Sequence, residues 1–177
     1  MIMLTIKEND MFKKGILVAA LGLCATSAFA EDVPITGTVQ SRCIISTDTP
    51  GVYGNPNAYT LTTTPADGGQ LAVVRFDVTL ADAYYAEITA PTSFSSSPSL
   101  PDTVTWVGDT EVSAVSDATG MGSYETNKIE LNMTDKYDLT ATGSTWFKTS
   151  SSATMGGNKA FPGGNYTAVV EAVCIAQ

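Results

Sequence analysis

The chain has 177 residues, with 18 acidic side chains against 9 basic ones, a formal charge of −9, three cysteines and no histidine. Nucleic acid and anionic membrane surfaces both require clustered Lys and Arg, so an acidic chain without a basic stretch is a poor partner for either. Without histidine, Ser-His-Asp, Cys-His and His-metal arrangements are unavailable.

Residues 1–10 carry Glu8 and Asp10 ahead of a basic pair, which is unusual for a leader. Met11 is an alternative start, and these ten residues are set apart from the fold. Met11–Ala30 then reads as a secretory signal peptide. Lys13 and Lys14 are its basic region, Ile16–Cys24 its apolar run, and Ala28-Phe29-Ala30 its cleavage site. The apolar run is too short for a bilayer span, which needs about 20 residues. Leu21-Gly22-Leu23-Cys24 loosely matches a lipidation motif, but Leu23 is too large for the position before a lipidated cysteine. The expectation is export, with periplasmic transit and an extracellular or cell-surface destination. The mature chain is then Glu31–Gln177, with no membrane span of its own. Three basic and two acidic residues leave with residues 1–30, so six basic side chains face sixteen acidic ones, a formal charge of −10.

Cys24 leaves with the leader, and Cys43 and Cys174 remain. An even count in an exported protein predicts a disulfide, with two free thiols or an intermolecular bond as the alternatives. Two cysteines without histidine do not complete a zinc site.

Past Cys43 the dominant period is two, the signature of half-buried strands. In Leu71–Leu80, Ala72, Val74, Phe76, Val78 and Leu80 share one face, and Arg75, Asp77 and Thr79 the other. Asn127–Thr134 repeats the pattern with Ile129, Leu131 and Met133 on the apolar face. Shorter strands are predicted over Tyr59–Thr64, Tyr84–Ala90, Thr103–Val107, Glu111–Val115 and Tyr137–Thr142. The closing run Asn165–Ile175 is apolar on both faces, so it predicts a central strand or one awaiting a partner. Turn-forming clusters such as Asp67-Gly68-Gly69, Gly156-Gly157-Asn158 and Pro162-Gly163-Gly164 separate these runs. Many short strands, Gly/Pro-rich turns and no helical period predict an all-β domain, a sandwich or a barrel, over 31–177.

Candidate chemistry is sparse. Asp77, Asp82, Glu87, Asp102, Asp109 and Glu111 could supply a carboxylate pair for glycoside hydrolysis, although acids on strand faces and turns are usually just solvated. Asp48 with Asn55, or Asp102 with Asp109 and Glu111, could meet in loops around calcium, but neither stretch has an EF-hand spacing. The expectation is no enzyme, no resident metal and no cofactor. Among the aromatics, Trp106 shares parity with Val104 and reads as core. Tyr85 and Trp146 are the candidates for an exposed ligand platform suited to sugar rings.

Val33-Pro34-Ile35-Thr36-Gly37-Thr38-Val39, followed by Gln40-Ser41-Arg42-Cys43, resembles the first-strand region of bacterial fimbrial subunits of the chaperone–usher kind. The resemblance implies an incomplete immunoglobulin-like sandwich, completed by a strand from the next subunit. It further implies that Val33, Ile35, Gly37 and Val39 form the assembly strand, and that Cys43 is half of the disulfide. The partners would be copies of this chain or related subunits, with a periplasmic chaperone and an outer-membrane usher. The sequence thus predicts a single-domain, disulfide-closed β-sandwich serving as a structural or adhesive subunit of a surface filament. The alternative is a soluble periplasmic or extracellular binding module, with carbohydrate as the candidate ligand.

Overall fold

The computed structural model describes residues 36, 42–117 and 124–177. Val33, Ile35, Gly37 and Val39, and the leader with them, lie outside the described residues. All the described strands belong to the unit that ends at Gln177.

Twelve strands are described, joined by turns and three single-turn 3-10 segments. They are β1 (Cys43–Thr49), β2 (Gly54–Asn57), β3 (Thr60–Thr62), β4 (Ala72–Val78), β5 (Tyr84–Thr89) and β6 (Phe94–Ser96). After these come β7 (Val104–Val115), β8 (Ile129–Leu131), β9 (Thr134–Asp138), β10 (Gly143–Met155), β11 (Thr167–Ala168) and β12 (Glu171–Ala176). All pairings are antiparallel. The larger sheet is organised by β10, whose one edge holds β4 along 143–149 and β3 along 152–154, while β7 runs along the other edge. β1 flanks β4 and β2 flanks β3. A second sheet has the order β12-β5-β9-β8, and β6 pairs with β11 separately.

The two larger sheets share one core. Phe76, Val78 and Phe147 come from the first, and Ala86, Ile88 and Tyr137 from the second, with Tyr124, Leu139 and Ala141 filling between them. Phe76 meets Phe147 edge-on at 5.4 Å between ring centroids, and Tyr137 lies 4.8 Å from Phe147. A second aromatic group gathers on Phe94, with Trp106 at 4.7 Å, Tyr166 at 5.1 Å and Phe161 at 6.0 Å. Trp106, read as core from its parity, is half-buried against Phe94 and lies outside the main core.

The strand expected over 71–80 appears as β4, with Phe76 and Val78 inside, and Tyr84–Ala90 appears as β5. Four expectations need correction. Thr103–Val107 and Glu111–Val115 are parts of one strand, β7, because the chain continues straight through Gly108. A Cβ at Gly108 would fall against Ala90 Cβ and the Ser150 carbonyl, so only glycine fits that crossing. The strand expected at Asn127–Thr134 is a hairpin. Asn132 and Met133 have positive φ of 40° and 73°, the conformation of a two-residue turn between antiparallel strands. Ile129 and Leu131 are therefore on the short outer strand β8 and stay about half exposed, at 50% and 51%. Tyr137–Thr142 contributes a strand only to Asp138. The closing run splits at Val169-Val170 into β11 and β12, which join different sheets, and β12 is an outer strand paired only with β5 among the described residues.

The longest strand, β10, has no counterpart in the expected elements. Its inward residues are Thr145, Phe147, Thr149, Ser151, Ala153 and Met155, all buried. Three of the six carry hydroxyls, which hides the apolar period. Those hydroxyls are satisfied inside, as buried polar groups must be. Thr149 Oγ1 meets Thr110 Oγ1 at 3.0 Å, Ser151 Oγ meets the Tyr53 hydroxyl at 2.8 Å, and Thr145 Oγ1 meets the Tyr124 hydroxyl at 3.4 Å.

Cys43 and Cys174 form the expected disulfide, with a Cα–Cα distance of 6.4 Å, joining β1 of the first sheet to β12 of the second. The bridge closes a separation of 131 residues. On the chain-entropy account a loop of that size gives on the order of 5 kcal/mol. Cys43→Ser is expected to cost about 2–5 kcal/mol of folding stability. Thermal denaturation of the oxidised protein checks this, and an unchanged melting temperature would remove the bridge from the account of stability.

Candidate functional site

The two larger sheets share a core, and their two margins, β1 beside β12 and β7 beside β9, are built differently. On the first, β1 and β12 are neighbours. β1 pairs only with β4, and β12 only with β5, among the described residues. The disulfide ties the two strands near Cys43. Beyond it the gap opens into a groove of about 540 Å³. Ile45 and Val74 line it from the first sheet, Val170 and Ala172 from the closing segment, and Tyr53 and Ser151 from its polar end. Burial raises the Tyr53 phenol above its ordinary value, partly offset by its hydrogen bond to Ser151. Of its lining side chains Val169 is the most exposed large apolar one, at 56%. Apolar walls between two unpaired strand edges can accept an extended chain, with main-chain hydrogen bonds on either flank and side-chain pockets below.

The opposite side is closed by charge and hydrogen bonds. Lys128, just before β8, is almost buried, with its side chain 9% exposed. Its Nζ lies 2.7 Å from Asp109 Oδ1 on β7, 3.3 Å from Glu130 Oε1 on β8 and 3.5 Å from Asp135 Oδ2 on β9. The Thr110 N–H donates to Asp135 Oδ2 at 2.8 Å, and the Tyr137 hydroxyl donates to the Thr110 carbonyl. The hydrogen bond from Lys128 holds Asp109 below the usual carboxylate range. Burial pushes Asp135 up, and the neighbouring Asp109 adds to that. Burial opposes the charge on Lys128, but the hydrogen bond to Asp109 and the surrounding carboxylates outweigh it and hold the ammonium above its ordinary value.

The carboxylates proposed from sequence do not converge. Asp102 pairs with Lys159 at 3.0 Å and Glu111 with Lys148 at 2.7 Å. Asp77 binds Arg75 and Ser144, and Asp48 accepts the indole N–H of Trp146 at 3.1 Å. Asn55 turns its amide onto the carbonyls of Asn57 and Thr60. Asp102, Asp109 and Glu111, weighed as calcium ligands in the sequence, do not form a group with metal-ligand proximity among the described residues. Among the described residues one acidic trio, Asp109, Glu130 and Asp135, has metal-ligand proximity, and the ammonium of Lys128 already fills its centre. Of these, only Asp109 stands out in the sequence as a candidate. The other members come together only through the 132–133 turn, which no strand period announces.

Tyr85 and Trp146 do not form one platform. Each alternates with core residues, Ala86 in β5 and Phe147 in β10, so each lies on the outer face of a different sheet. Lys136 Nζ covers the Tyr85 ring at 4.2 Å, and Arg75 lies 6.0 Å from the Trp146 ring. Comparison of the chain with protein-family models, curated proteins and solved structures finds no match.

The ionic cluster has a definite pH signature. A carboxyl held below its unfolded value contributes stability above about pH 4, and that contribution is lost as pH falls through the folded value. Asp109 is such a group, whereas Asp135, shifted upward, favours the folded state in acid and loses that contribution as pH rises. Asp109→Asn is therefore expected to lower stability at neutral pH and to flatten its decline in acid. Denaturant titrations at stepped pH give the answer, and an acid limb as steep as the unsubstituted protein's would contradict it. Lys128→Met keeps the buried stem and removes the ammonium, at an expected cost of about 1–3 kcal/mol in the same titrations.

Proposed function

We propose that this chain is an exported structural or adhesive subunit of a bacterial surface filament. In this reading it is an incomplete immunoglobulin-like sandwich, and its groove between β1 and the 167–172 segment accepts a strand from another subunit. The groove is the observation that carries the reading: it runs between β1, whose outer edge has no strand partner among the described residues, and the 167–172 segment that leads into β12, with Ile45, Val74, Val170 and Ala172 along it. Main-chain pairing supplies affinity in strand addition, and alternate side chains in pockets supply specificity. Val33, Ile35, Gly37 and Val39 of another copy are the assigned donors, because every second residue of a strand falls on one face.

The same groove explains why a chaperone is part of the proposal. Exposed apolar edges aggregate, and a periplasmic partner that covers them until assembly removes the hazard. Export by the Met11–Ala30 leader, delivery through an usher and display at the cell surface complete the assignment. The reading gives no residue a catalytic role. A soluble carbohydrate-binding module is less well supported, since Tyr85 and Trp146 face opposite ways and each already has a cation at its ring.

Size-exclusion chromatography with light scattering on oxidised Glu31–Gln177 tests the proposal. Oligomers or filaments are expected, and removal of residues 31–39 is expected to leave a monomer that binds an added peptide of residues 31–41. A monomer at every concentration of the longer chain would overturn self-assembly.

A further inference from the structure

The side opposite the groove carries a separate argument. β7 is an outer strand there, since its partner among the described residues is β10 alone. An outer strand presents N–H and C=O groups to any extended chain that approaches. At Thr110, in the middle of β7, side chains of β9 occupy both groups. The N–H donates to Asp135 Oδ2 at 2.8 Å and to Asp109 Oδ1 at 2.9 Å, and the carbonyl accepts the Tyr137 hydroxyl. Asp135 is 5% exposed and Tyr137 fully buried, so water and an incoming strand are both kept from Thr110. Lys128 bridges Asp109 and Asp135 over the same position. Next to it the Ala90 N–H donates to the Met133 carbonyl at 2.9 Å, and Gly108 lets Ala90 pack against β7.

We infer that Asp135 and Tyr137 form a side-chain plug that takes the place of a neighbouring strand along β7 and closes this side of the molecule to strand addition. Ordinary satisfaction of buried polar groups would pair Asp135 and Tyr137 with any available partner. Here both act on the main chain of one residue in an outer strand, through the two groups that an added strand would use. The remaining edge on this side, β8, is only three residues long and carries Glu130, the usual protection of a short charged edge. The consequence for growth rests on the assembly reading: with β7 plugged, strand addition is directed to the groove, and subunits join in a single unbranched line.

The test uses the oxidised exported chain with Asp135→Ala, and with Tyr137→Phe, which removes only the hydroxyl on the Thr110 carbonyl. Hydrogen exchange and light scattering across a concentration series are the readouts. In Asp135→Ala the Thr110 amide is expected to exchange about tenfold faster or more, with the Phe147 amide still protected. Both variants are expected to associate beyond the unsubstituted chain at equal concentration. A folded Asp135→Ala protein of unchanged mass would overturn the plug, whatever its exchange at Thr110. If Asp135→Ala does not fold, Tyr137→Phe decides by the same comparison: greater association supports the plug and equal mass overturns it. The mass of the unsubstituted chain reports separately on assembly through the groove, so the two proposals fail independently.

Discussion

Strand β10 is the constraint on which the rest of the structure depends. It holds three strands at once, β4 and β3 end to end along one edge and β7 along the other. Its inward residues also supply a member to each level of the interior, from Thr145 to Met155. Phe147 is the pivot of that row, touching Phe76 within its own sheet and Tyr137 from the facing one. β10 thus carries three strands of its own sheet and, through Phe147, an aromatic contact to the facing one. A shift of β10 by one residue would turn Phe147 outward and Trp146 inward, exchanging every buried side chain for a surface one.

That same strand explains what was legible in the sequence and what was not. β4 could be read directly because its inward set is Val74, Phe76 and Val78, and β5 because Ala86 and Ile88 alternate with Tyr85 and Glu87. In β10 the inward set mixes Phe147, Ala153 and Met155 with Thr145, Thr149 and Ser151, so a hydrophobic period is absent although the burial period is strict. The hydroxyls belong inside only because Thr110, Tyr53 and Tyr124 come from other parts of the chain to bond them. Such long-range partners leave no local mark. The opposite failure occurs at Asn127–Thr134, where a good alternation is interrupted by two left-handed residues and Ile129 and Leu131 end up at the surface. The disulfide was legible from cysteine count alone, while the Lys128 cluster was not, because its members come together through a turn and across two sheets.

The two sides of the stacked sheets are held by different chemistry. Cys43–Cys174 ties β1 to β12 at one point and leaves the rest of that side parted, so the strands are fixed in position without being paired. Lys128, Asp135 and Tyr137 draw β7, β8 and β9 together through charge and main-chain contacts, buried at Thr110 and open to solvent at Asp109 and Glu130. A covalent tie keeps its geometry when the surroundings are open to solvent. A network of charges and hydrogen bonds needs exclusion of water to be worth much, because solvent screens ion pairs and competes for donors. Of the polar network only the part around Thr110, Asp135 and Tyr137 is shielded in this way, while Asp109 and Glu130 remain exposed.

This division gives the molecule a direction. A sheet with two equally open sides would accept strands on both and would grow without a defined order, the hazard that outer strands carry in any β protein. In the proposed assembly, one side left open and the other plugged give the subunit one acceptor, and a donor segment ahead of Cys43 makes it a link with two unlike ends. Unlike ends produce head-to-tail growth, which continues as a filament unless the rotation between neighbours closes a ring. Directional assembly then needs no separate recognition domain. In that proposal it follows from which of the two sides accepts a strand.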